Sequence, residues 1–280
     1  MRRIFSLATF GCTAIPARAR HGLPAALAGL AMAASLGMLA APARAEPAPP
    51  ELVKVGVFTV APYVVAGPDG PQGALIEFFD REIAPRMGVR FQWQRPVTVA
   101  RLEHSLASGD VLFAPILAHT PERDRSAIQF DTDVHIRFVP CIAMLPEHRP
   151  GAIHGPGDLA GMTIGWVQAG ALPPFMRDPR IRLDLVGGVD WEKINLGKLK
   201  LGRIDGAYFS NCASAQYHAA RNGLKLNLLP LPVQGVPLHG AFAPSAPAQL
   251  VQRYRKAAQQ AFAAGRFDSY VNRTLGETRP

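Results

Sequence analysis

The chain has 280 residues, 48% of them hydrophobic and 18% charged, with 30 basic side chains against 21 acidic ones and a formal charge of +9. That is too much apolar material for a disordered chain and enough for two modest cores. Five arginines and no acid fall in residues 1–45, leaving 25 basic against 21 acidic groups; no Lys/Arg run interleaved with aromatics survives among them, which argues against nucleic acid as a partner.

In chain order, residues 1–45 read as an export signal. They have an arginine-rich start, an apolar stretch from Leu23 to Ala40, and the small-residue site Ala43-Arg44-Ala45 before Glu46. The stretch is short and rich in Ala and Gly, which favours cleavage over a retained membrane helix and predicts a periplasmic location. Residues 46–50 form a Pro-rich linker. Leu52 to Phe58 is a β-branched apolar run, predicted as a buried strand. A turn over Gly67–Pro71 leads to a helix carrying Leu75, Ile76, Phe79, Ile83 and Met87 at helical spacing. Gly88 ends it, and Val89, Phe91 and Trp93 alternate as the next strand. A short helix holding Leu102 and Leu106 closes at Gly109, and Val111 to Leu117 is a third strand. The β-α-β-α-β order predicts a parallel sheet flanked by helices.

At the carboxyl edge of that strand stands His119-Thr120-Pro121-Glu122-Arg123. Thr120 suits an N-cap, Pro121 the first helical position and Glu122 the positive helix end, so a helix is predicted to start here. It would deliver Arg123 to the sheet edge where open α/β folds bind ligands. After an apolar run from Phe138 to Leu145 and a Pro/Gly-rich stretch, a second alternation begins. It takes Met162–Val167 as strand, Trp191–Leu201 as helix, Ile204–Phe209 as strand and Asn211–Asn222 as a helix stopped by Gly223. Leu224, Leu226 and Leu228 then alternate, and Pro230 to Pro237 reads as a stiff crossing strand. The remainder is mainly helical, with Leu250, Tyr254 and Phe262 on one side and a break at Gly265. Cys141 and Cys212 each flank a predicted strand; a disulfide and two buried thiols are equally open for them. The eight scattered histidines give no zinc spacing with the cysteines, so no metal is expected.

The run Leu106-Ala-Ser-Gly-Asp110, an apolar strand, Thr120-Pro-Glu-Arg123 and Phe130-Asp131, followed later by Leu201-Gly-Arg-Ile-Asp-Gly-Ala-Tyr208, resembles the bacterial periplasmic solute-binding proteins of family 3, the amino-acid-type receptors of ABC importers. The likeness covers roughly residues 51 to 280, with one residue missing before Asp110. It implies an α/β, two-lobed type II periplasmic binding protein fold, with two mostly parallel sheets flanked by helices and a double-crossover hinge. Lobe 1 would take residues 51–138 plus 233–280 and lobe 2 residues 139–232. It also implies a monomer without cofactor that captures a small organic anion or amino-acid-like ligand by hinge closure and hands it to an inner-membrane ABC permease.

Carried over residue by residue, the resemblance makes Arg123 the grip on a ligand carboxylate, a task its planar fork suits. The rival reading pairs it on the surface with Glu122 or Asp124. Thr120 is then a cap and Asp205 a strand-start residue. Other positions depart from the family pattern. Ala118 replaces a contacting hydroxyl, Gly170-Ala171 replaces a Gly-Thr step, and Ser210, followed by Asn211, takes the place of the carboxylate that neutralises a ligand ammonium. An unpaired buried ammonium is costly, so a standard amino acid is a poor candidate ligand. Tyr63, after Pro62, is placed to stack on a ligand or to pack. Phe58, His119, Gln168, Gly170, Ser210 and Asn211 complete the expected contacts; Trp166 and Trp191 are assigned to the core or the lobe surface. Two alternatives remain. One is a docking module of the same fold that binds nothing small. The other is an enzyme like the cyclohexadienyl dehydratases, for which Gln168 to Phe175 supplies no acid and only Glu77 and Glu103 are left. No enzymatic activity is expected.

Overall fold

The computed structural model describes residues 49–147 and 150–276; the export-signal reading of residues 1–45 lies outside them. The chain opens with β1 (Glu51–Val55) and a small hairpin, β2 (Val65–Ala66) and β3 (Pro71–Gln72). One helical rod follows: α1 (Ala74–Phe78), a π turn (Phe79–Ile83) and α2 (Ala84–Met87), closed by Gly88 in the left-handed conformation. Next come β4 (Val89–Trp93), α3 (Val99–Ser108), β5 (Phe113–Leu117) and the short strands β6 (Gln129–Phe130) and β7 (Ile136–Phe138). Thr98 caps α3 by accepting a hydrogen bond from the Arg101 amide, and Gly109 ends it at φ 81°.

The chain then crosses to a second sheet. It contains β8 (Cys141–Met144), β9 (Thr163–Val167), β10 (Arg182–Val186), α4 (Trp191–Lys200), β11 (Gly206–Phe209), α5 (Cys212–Asn222) and β12 (Asn227–Pro230). It returns to the first sheet through β13 (Val236–Phe242) and finishes with α6 (Ala248–Ala263) and α7 (Phe267–Gly276). The strand orders are β4-β1-β5-β13-β6, with β7 on β13, and β10-β9-β11-β8-β12. In each sheet three strands run parallel, and the strands next to the crossovers pair antiparallel to them. Two passages, Val139–Pro140 and residues 231–235, join the lobes. No helix among the described residues is long and apolar enough to cross a membrane.

Two local expectations change, and one left open is decided. β10 has no counterpart in the sequence reading; Arg182 and Asp184 dilute its alternation, yet it pairs with β9 along its whole length. The returning strand lies at Val236–Phe242 instead of Pro230–Pro237, because three prolines in that stretch lack the N–H a ladder needs while Leu238, Ala241 and Phe242 are buried. Cys141 and Cys212 are free thiols hydrogen-bonded to each other, not a disulfide. That contact and burial push the Cys141 thiol far up, while the same contact lowers Cys212.

The first lobe packs around Phe113, whose ring lies 4.9 Å from both Phe242 and Tyr254. Phe79 and Phe91 close the same cluster from the helical rod and β4. The second lobe is centred on Ile142, Ile164, Trp166 and Tyr208. Phe113→Ala removes the middle of the first core and is expected to cost about 3–5 kcal/mol, read as a lowered midpoint in chemical denaturation.

Candidate functional site

After β5 the backbone turns sharply. The Thr120 carbonyl accepts from the amides of Arg123 (2.9 Å) and Asp124 (3.3 Å), starting a single 3-10 turn, Arg123–Ser126, which Ala127 ends with φ 56°. The helix expected from Thr120 is therefore one turn only, and it offers no row of free amides to an anion. Thr120 caps no helix through its side chain; its hydroxyl meets the Glu122 carboxylate.

Arg123 is buried, with 5% of its surface exposed. Its Nε (2.9 Å) and Nη2 (2.7 Å) both donate to Glu103 Oε1, its Nη1 donates to the Ala118 carbonyl at 2.5 Å, and Nη2 also reaches the Ala169 carbonyl at 3.1 Å. The partners considered on the surface are engaged elsewhere: Glu122 with Arg177 and Asp124 with His119. Glu103 follows Val99 by four residues on α3, so both project from one helical face.

Beyond Arg123 the cleft narrows to a cavity of about 50 Å³ whose walls include Phe58, Trp166, Trp191, Tyr208 and Ser210. Ligand pockets commonly measure about 300–1,000 Å³, so this space suits no more than a water or two. Trp166 packs edge-on against Trp191 (4.9 Å) and Tyr208 (4.4 Å). Its indole N–H donates to the Gly170 carbonyl at 3.2 Å, and a Cβ at Gly170 would sit 2.7 Å from the ring. The two tryptophans are buried in the core, one of the two places expected for them, and the same rings wall the cleft.

Hydrogen bonds cross the cleft in several places. Trp191 Nε1 donates to the Thr59 carbonyl (3.2 Å), while the Thr59 hydroxyl donates to the Val189 carbonyl. The Ala61 amide donates to Glu192 Oε2 (3.2 Å), which also meets His218 Nε2 at 2.8 Å. Asn211 caps α5 through Oδ1 and donates from Nδ2 to the Tyr63 hydroxyl at 2.9 Å. Tyr63 is buried against Phe138 and Phe267, so it packs and presents no face to the cavity. Gln168 is exposed near Gly187, and His119 is exposed against Phe130; neither lines the cavity. Asp205 accepts from the Thr163 amide at 2.7 Å, tying β11 to the start of β9. Two wetter hollows flank the closed cleft. One of about 490 Å³ lies between Gln72, Glu192, His218 and Arg221. The other, about 200 Å³, lies beside Glu103, Thr120, Arg123 and Arg177.

Glu103→Gln leaves a buried guanidinium without its counter-charge and is expected to destabilise by about 2–3 kcal/mol. In a double-mutant cycle with Arg123→Met, measured by chemical denaturation, the losses should be far from additive; additive losses would break the assigned pairing. Burial pushes the Tyr63 hydroxyl up to about 12, against a lowering by the Asn211 bond. A raised folded-state value means the neutral phenol favours folding, so this contribution is whole below about pH 10 and vanishes on the way to pH 12. Tyr63→Phe should therefore lose stability less steeply than the wild type between pH 10 and 12, as read from thermal midpoints.

No protein-family model and no curated protein matches the sequence. Solved structures do resemble it. The Bordetella pertussis BvgS periplasmic domain superposes with a TM-score of 0.66 at 21% identity, over 80% of this chain and 43% of that one, so the chain spans less than half of the BvgS domain. An amino acid ABC transporter substrate-binding protein, AbpA from Streptococcus pneumoniae, bound to L-arginine, gives 0.66 at 18% identity, over 82% and 96% of the two chains. The GluR0 ligand-binding core in complex with L-glutamate gives 0.66 at 16% identity, over 80% and 98%. At these identities the likeness speaks for architecture. The chain has the two-lobed fold of the periplasmic amino-acid-binding proteins.

Proposed function

We propose that this chain is a periplasmic module of solute-receptor fold whose anion grip is held by its own Glu103, and that it works by docking a closed two-lobed body on a protein partner. The carrying observation is the Glu103–Arg123 pair. A carboxylate already sits on the guanidinium fork, at 2.7 and 2.9 Å, where a ligand carboxylate is expected. An incoming anion must displace an intramolecular partner that loses little entropy in staying. The aromatic wall behind it leaves about 50 Å³, too little for an amino acid. The absence of a carboxylate at Ser210 weighs against an ammonium group, and no catalytic chemistry is assigned to Glu103, whose charge is spent on Arg123.

A second reading, capture of a small carboxylate for an ABC permease, is favoured by one feature. Glu103 is 27% exposed in its side chain and borders the 200 Å³ hollow that Thr120 and Arg177 also line. A carboxylate entering there would replace Glu103 on Arg123 and gain Arg177.

Thermal unfolding against amino acids and non-amino carboxylates separates the two, with wild type, Glu103→Gln and Arg123→Ala compared. Docking predicts no stabilisation of the wild type by any of them. A rise of several degrees with one acid, corresponding to about 2.7 kcal/mol at a hundred times its Kd, and lost in Arg123→Ala, would overturn docking in favour of solute capture.

A further inference from the structure

Between β6 and β7 the chain reads Phe130-Asp131-Thr132-Asp133-Val134-His135-Ile136, with a bend at Thr132. Asp131, Asp133 and His135 converge there, with one donor atom from each lying within 4.8 Å of the others. This segment lies beside β13 and meets α6 through Arg255 and Phe262.

The polar accounting of this cluster is incomplete. The Asp131 side chain is fully buried; its Oδ1 accepts from Arg255 Nε at 2.7 Å, but Oδ2 has no partner. His135 Nε2 is buried and has no partner either. The His135 ring is held flat on Phe262, at 4.8 Å and 1° between planes, so its nitrogen is aimed and not free to swing. The backbone is fixed as well: the Asp131 amide donates to the Gly240 carbonyl, and His239 Nδ1 meets the Asp131 carbonyl, both at 2.8 Å. A hollow of about 10 Å³ opens between Asp133, His135, Gly240 and Tyr254, the size of one ion or water. Unpartnered buried polar atoms are expensive, and one on Asp131 and one on His135 within a single cluster of donors indicate an occupant that accepts electron pairs from both.

We propose that Asp131, Asp133 and His135 form a binding site for a single divalent transition-metal ion, with Zn(II) the ion that suits it best. Two carboxylate oxygens and one imidazole nitrogen match the borderline character of Zn(II), and three protein ligands leave one position for solvent at the exposed Asp133. Arg255 cancels one carboxylate charge, so the site carries a net charge near −1 before the ion enters. A tetrahedral ion with bonds near 2.1 Å holds its donors about 3.4 Å apart. The donors must close by roughly an ångström and a half at most; rotation of the exposed Asp133 side chain brings its carboxylate in, and small shifts of Asp131 and His135 close the distance between those two. The ion would tie the strand leading to the first crossover onto the lobe-1 core through His135 and Asp131.

The experiment uses the full chain freed of metal by a chelator, titrated with Zn(II) in a calorimeter and then followed by thermal unfolding. The expected result is one Zn(II) per chain and a raised Tm, with affinity at least about tenfold weaker in Asp133→Asn and in His135→Gln. Asp133 is exposed, so its variant keeps the fold, and circular dichroism verifies this for both. Co(II) in place of Zn(II) should give visible absorption bands that shift in His135→Gln. No Zn(II) binding by the wild type would overturn the proposal and leave a buried water as the partner of both atoms. Binding with wild-type affinity in both variants would overturn it too, by placing the ion on other histidines.

Discussion

The arrangement of the cleft depends on one buried ion pair. Arg123 cannot be left unpaired at 5% exposure, and the nearest counter-charge is the Glu103 carboxylate that α3 projects from the same face as Val99. With the fork occupied, the remaining guanidinium donors turn to carbonyls: Ala118 on its own lobe and Ala169 on the other. The side chain expected from the sequence to grip a ligand is here an internal strut. It links three segments of backbone, and it does so across the cleft.

Closure of the lobes is supported by buried polar groups rather than by surface charges. Thr59, Ala61 and Tyr63 follow β1 on the first lobe, and each meets a partner on the second lobe: Trp191 and Val189, Glu192, and Asn211. Exposed ion pairs such as Arg177–Glu122 contribute little by comparison, because water screens them. Opening the cleft would exchange each of these bonds for one to water, at a net cost of about 0.5–1.5 kcal/mol per bond.

Side-chain sizes are matched across the cleft. Small side chains at Ala118, Ala171 and Ser210 share the cavity wall with Trp166, Trp191 and Tyr208. Gly170 belongs to the same fit, since a Cβ there would collide with the Trp166 ring. The large rings fill space that these small residues would otherwise leave void.

The fold was largely legible from local pattern. Alternation at Val89–Trp93, helical spacing from Leu75 to Met87, and glycines at 88, 109 and 223 mark elements by rules that act within a few residues. The motif around Arg123 was equally legible, but its partner was not, because Glu103 lies 20 residues away and pairing at that distance depends on how α3 docks against β5. For the same reason local pattern leaves Tyr63 between stacking and packing and does not show the Asp131, Asp133 and His135 convergence. The sequence by itself determined the two alternating α/β halves, because hydrophobic periodicity is a property of neighbouring residues. Only the tertiary structure decided which charge meets Arg123 and which rings fill the cleft, because those contacts join residues remote in sequence, through burial that forces every polar group to find a partner.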